Sequence, residues 1–146
     1  MNIKIKNLIL LSQRLRETYT RRVNIETPPR ELPSAEDQLL LKVIQFIESK
    51  LDSSQLSVEE LSNHFCMSRT SFYRKIVDLT GETPVEFVRS VRLNRAAELL
   101  ERGDMKIAEI GYAVGFTTPN YFTRAFKAKF DLSPSEYVAL KRKAIG

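Results

Sequence analysis

The sequence predicts an all-α fold of about seven helices, arranged as two helix-turn-helix units joined by a long connector helix. Three observations carry that expectation. Apolar residues recur at three- and four-residue intervals, and strand-like alternation appears nowhere. The stretch 107–134 repeats an earlier stretch at an offset of 49 to 50 positions. Between the copies runs a 19-residue segment, Pro84–Arg102, with Thr83 before it as a cap and Gly103 after it as a stop.

Taken in order, residues 3–22 place Ile5, Leu8, Leu11, Leu15 and Tyr19 near a three-to-four spacing. That suits a short coiled coil or a solitary amphipathic helix docked on a neighbour. Pro28, Pro29 and Pro33 then make an extended linker that cannot be helical. The expected division is 1–33, a helix and linker, and 34–146, one domain.

Ser34, with Asp37 three residues on, starts the first domain helix. Leu40, Val43, Ile44 and Ile47 form its buried face, and Asp52-Ser53-Ser54 ends it. Ser57 and Glu60 form an S-x-x-E capping box for the next helix, whose Val58, Leu61 and Phe65 face inward. Cys66-Met67-Ser68 is the turn. The helix that follows runs from residue 68 or 69 to about Leu79 and stops at Gly81. Its inner face is Phe72, Ile76 and Leu79; its outer face is Arg69, Thr70, Tyr73 and Arg74.

Beyond the connector, Ile107, Ile110 and Val114 share one helical face, and Gly115 follows where φ > 0 is wanted. Thr117 or Thr118 caps the next helix, with Pro119 in its first turn. That helix buries Phe122, Phe126 and Phe130 and presents Asn120, Thr123, Arg124 and Lys127 outward. A last helix, from residue 134 or 135 to about Ala144, buries Tyr137 and Val138, with Leu140 a third candidate.

The repeat matches Leu61 with Ile110, Phe65 with Val114 and Met67 with Phe116 at one offset. It matches Phe72 with Phe122, Arg74 with Arg124, Ile76 with Phe126 and Pro84 with Pro134 at the other. One extra residue therefore lies in the second turn. The outward residues are cations and hydrogen-bonding side chains, the types that grip phosphates and read base edges. An ordinary amphipathic helix pair, docking another protein without reading bases, is the competing explanation. Arginines at equivalent places on both repeated helices favour nucleic acid. Tyr73 has its own alternative, a ring half-covering the edge of the core. Nineteen helical residues span about 28 Å, close to the ~34 Å recurrence of the major groove. One chain could thus place two recognition helices in successive grooves.

Charge is unevenly spread. Of 23 Lys/Arg and 18 Asp/Glu, giving a net +5, the half beyond residue 62 is basic, while 34–62 is acidic. That fits a phosphate-facing surface without demanding one. Cys66 is the only cysteine and His64 the only histidine, too few for a zinc site, and both are expected to pack near the turn. Gly111 and Gly115 make no phosphate loop, since no strand precedes them and no Lys-Ser/Thr follows. No apolar run is long enough to span a membrane, and the first residues lack a signal-peptide pattern. The expectations are a non-enzyme, with no cofactor, in the cytoplasm. Lys141-Arg142-Lys143 reads as a solvated tail, or as a phosphate contact.

Residues 57–143 resemble the double helix-turn-helix DNA-binding domain of AraC/XylS-family transcription regulators. The matching runs are Arg92-Leu93, Ala96, Leu99-Leu100, Ile107-Ala108-Glu109-Ile110 and Val114-Gly115-Phe116. Tyr121-Phe122-Thr123-Arg124-Ala125-Phe126-Lys127 and Leu132-Ser133-Pro134-Ser135-Glu136-Tyr137 complete them. Asp131 departs from the family's usual Gly, and Ser62 from its frequent Ala. The resemblance implies a homeodomain-like, sequence-specific binder of double-stranded DNA, an activator that works with RNA polymerase. It also implies that Thr70, Tyr73 and Arg74 reach base edges. Residues 1–33 resemble the joint between a receiver domain and an AraC-type output domain in hybrid two-component regulators.

Overall fold

The computed structural model of the chain describes residues 34–145. The helix, linker and boundary expected within 1–33 lie outside the described residues. Seven helices follow: α1 Ala35–Ser49, α2 Val58–His64, α3 Arg69–Thr80, α4 Pro84–Arg102, α5 Ile107–Ala113, α6 Pro119–Phe130 and α7 Pro134–Ile145. No strand occurs among the described residues. The all-α, two-unit expectation holds.

The helix ends show why these segments form. At α1, Ser34 Oγ accepts from the Asp37 N–H at 3.1 Å, and Asp37 returns the bond to the Ser34 N–H at 3.3 Å. The same reciprocal box closes α4 through Thr83 and Glu86 and α7 through Ser133 and Glu136. The donors from Thr83 and Ser133 hold the carboxyls of Glu86 and Glu136 below the usual range. The box expected at α2 is only half made. Ser57 Oγ accepts from the Glu60 N–H at 3.0 Å, but the Glu60 carboxylate lies 3.6 Å from Lys50 Nζ, drawn to that cation instead. The first helix also ends sooner than Asp52. The Lys50 N–H bonds to Ile47 O, and Ser49 Oγ to Phe46 O, which tightens the last turn.

The repeat is reproduced bond by bond. Met67 N–H donates to Ser62 O at 2.9 Å, and Phe116 N–H to Gly111 O at 2.9 Å. Ser68 Oγ caps α3 on the Ser71 N–H, and Thr118 Oγ1 caps α6 on the Tyr121 N–H, both at 3.1 Å. Gly81 and Asp131 both take the left-handed conformation and donate to Val77 O and Lys127 O at 2.8 Å. Asp131 does so at φ 63°, so the departure from Gly leaves the turn unchanged. Since Thr118 is the cap, Thr117 is the extra residue of the second turn.

Each unit has its own core. The first gathers Leu40, Val43, Ile47, Leu61, Phe72 and Ile76; the second Ile110, Val114, Phe116, Phe122 and Phe126. The connector α4 packs against α1, α3, α5, α6 and α7. It gives Phe87 and Val91 to the first core and Leu93, Ala96, Ala97 and Leu100 to the second. Tyr137 and Val138 cover the second core as expected. Leu140 does not: it is 54% exposed. The inward stripe of α7 runs through Pro134, Tyr137, Val138 and Lys141, whose ammonium lies 3.4 Å from Glu101 on α4. Leu140 falls off that stripe.

Candidate nucleic-acid interface

Two helices of 12 residues each, α3 and α6, present the outward residues singled out in the sequence. Burial of Phe72 and Ile76 turns Arg69, Thr70, Tyr73 and Arg74 to solvent, and all four are exposed. Burial of Phe122 and Phe126 does the same for Asn120, Thr123, Arg124 and Lys127. Tyr73 keeps 48% of its surface exposed and belongs to neither core, which argues against the core-edge alternative. Because the two helices follow equivalent capped turns, Arg74 and Arg124 occupy equivalent positions on their units.

The electrostatics separate these side chains from their neighbours. No ion pair among the described residues engages Arg69, Arg74, Arg124 or Lys127. Lys75, on the same helix as Arg74, is held 3.3 Å from Glu36 of α1. The two faces differ in charge toward their ends. The last turn of α6 carries Lys127 and Lys129, whereas that of α3 carries no basic residue.

Two residues of the matching runs have no role assigned from the sequence. Tyr121, 41% exposed beside Asn120, sets its ring edge-on to Phe116 at 5.3 Å between centroids. Its position one residue before the buried Phe122 was the available signal. Arg92 is buried inside the domain, donating to the carbonyls of Leu51, Ser53 and Val114. Its place between the apolar Val91 and Leu93 is the only local sign, and Arg89 and Arg95 nearby blur it. His64 packs beside the turn on one face only, stacked on Phe46 at 4.0 Å and otherwise exposed. Cys66 does not; it is exposed, at φ 55°, because the turn needs a left-handed residue there. No group of three metal-binding side chains occurs among the described residues, and no described helix is long and apolar enough to cross a membrane.

A helix-turn-helix domain family matches residues 61–139, more than half of the chain and nearly all of both units. The chain belongs to the AraC-type helix-turn-helix family. Members of this family are DNA-binding domains of transcription regulators rather than enzymes. The AraC-type domain is similar to the DNA-binding domain of AdpA, a global transcriptional factor solved in complex with a target DNA. Identity there is 30% and the TM-score 0.65, over 72% of this chain and 94% of that one. It is also similar to the C-terminal domain of AraT, a response regulator from Geobacillus stearothermophilus. That match has 28% identity and a TM-score of 0.65, over 73% of this chain and 88% of that one. Histidine kinase P4 of Formosa agariphila is 36% identical over 135 residues, 92% of this chain. The chain spans about 10% of that kinase's length.

Proposed function

We propose that this chain binds specific sites in double-stranded DNA by setting α3 and α6 into successive major grooves, and thereby regulates transcription. The base-facing set is Thr70, Tyr73 and Arg74 on α3 and Asn120, Thr123 and Arg124 on α6, with Arg69 and Lys127 toward phosphate. The observation that carries this reading is the duplication: two equivalent helices, each with a buried apolar face and an outward arginine at the same place. A docking module has no need to repeat that arginine. A band shift on genomic DNA fragments tests it. A shifted band that survives excess nonspecific competitor is the expected result. A band abolished by competitor would leave base readout without support and favour the docking module.

The placement in the cell follows from the same reading: an output domain in the cytoplasm, acting as an activator through contact with RNA polymerase. The match to the kinase leaves out only 11 of the 146 residues, so at least 22 of the first 33 lie inside it. That extension supports residues 1–33 as the joint to a receiver or sensor module, with the DNA-binding domain beginning near residue 34.

A further inference from the structure

Arg92 lies midway along α4, where the helix passes from one core to the other, and it is 7% exposed. Its guanidinium donates to three backbone carbonyls. Nη1 reaches Leu51 O and, at 2.7 Å, Val114 O; Nη2 reaches Ser53 O at 2.7 Å. Leu51 and Ser53 belong to the loop between α1 and α2, in the first unit. Val114 caps α5, inside the turn of the second. Burial pulls the pKa of Arg92 down, opposed by the charge of Asp52, and a buried cation of this kind needs partners on every side.

The second unit is shaped around this side chain. Gly115 has φ +95°, and a β-carbon there would overlap the Arg92 guanidinium and the Leu51 carbonyl. In the first unit the matching residue is Cys66, at φ 55° with its side chain exposed. The repeat thus departs from itself where the turn of the second unit meets the loop of the first.

We infer that Arg92 is a positioning residue for DNA recognition: by tying the second turn to the first unit it fixes the spacing between the half-sites that the domain accepts. The inference rests on α3 and α6 reading DNA as proposed above. Each unit keeps its own hydrophobic core without Arg92, so its loss frees their mutual tilt rather than dissolving either one. Lysine retains the charge but offers a single nitrogen, which cannot span three carbonyls in a fixed fork.

Two measurements on the 146-residue chain test this. The first is selection from a DNA library in which the two half-sites are separated by varied spacers. The wild type should prefer one spacer, and Arg92→Lys and Arg92→Met should lose roughly tenfold of that preference as the linked units loosen. The second needs no DNA. Spin labels on the native Cys66 and on Ala128→Cys of α6 report the distance between units, which should be narrow in the wild type and broad in Arg92→Lys. An unchanged spacer profile and an unchanged distance distribution would overturn the inference. So would loss of cooperative melting in both variants, since Arg92 would then be a folding group. A wild-type chain that binds no DNA overturns the reading of the interface alone. A broadened distance distribution in Arg92→Lys would still support the lock.

Discussion

Gly111 lies so close to Phe122 that a β-carbon on it would come within 2.9 Å of the ring. The ring is fully buried against the second core and has no room to retreat. In the first unit the same place is held by Ser62, whose hydroxyl donates to Glu59 O at 3.0 Å. Gly111→Ala should therefore destabilise the domain by about 1–3 kcal/mol through overpacking. Ser62→Ala should cost only about 1 kcal/mol, the loss of one hydrogen bond. Urea midpoints of the two variants check the order; equal effects would mean that the units pack alike at this crossing.

Glu82, 5% exposed in the α3–α4 turn, accepts from Ser90 Oγ on one oxygen at 3.0 Å, while its other oxygen has no partner. Burial raises its pKa above the ordinary 4.5, assisted by Glu86, against the Ser90 bond and the charges of Lys129 and Arg89. A carboxyl whose folded pKa is raised contributes stability below its unfolded pKa and loses it as pH rises through the folded value. Glu82→Gln should thus gain on the wild type as pH increases from about 4 to about 8. Denaturation midpoints across that range would show a constant difference if the buried carboxylate carries no such penalty.

Salt dependence tests the phosphate contacts of both faces. With five to nine contacts, the log–log slope of affinity against salt should be roughly −4 to −8. A slope near zero, measured by fluorescence anisotropy on a selected site, would remove phosphate binding.

Arg74→Ala and Arg124→Ala should each relax preference at one base position, by about 1–3 kcal/mol of discrimination. Those positions should lie roughly 10 base pairs apart. An arginine that only clamps phosphate would instead weaken all sequences alike and lower the salt slope by about one. Sites selected from random DNA by each variant distinguish these outcomes. Affected positions within three or four base pairs of one another would rule out two-groove insertion.

Removal of residues 1–33 should leave cooperative melting and specific binding intact, because both cores are built from the described residues. Non-cooperative melting of a 34–146 fragment would make the leading segment part of the domain.

Much of this arrangement could be read from local chemistry. Phe72, Ile76, Phe122 and Phe126 announce their faces by spacing, and Ser34, Ser57 and Thr83 announce helix starts because caps act within three residues. What escaped the sequence depends on partners far along the chain. Glu60 leaves its box for Lys50, Leu140 is left out because Tyr137 and Val138 turn the opposite face of α7 onto the second core, and Arg92 finds carbonyls 22 to 41 residues away. Cys66 by itself gives no sign of a left-handed turn; only its place opposite Gly115 in the repeat carries that signal.

The correspondence of the two turns has a practical meaning. α3 and α6 are cassettes of equal length, opened by a hydroxyl cap and closed by a left-handed residue. Their inward side chains answer to the local core, while Arg74 and Arg124 make no ion pair among the described residues. Outward residues can therefore be transplanted from one helix to the other at an offset of 50 without repacking either interior. A domain rebuilt in this way would carry one reading head twice, and the DNA it selected would be a direct repeat.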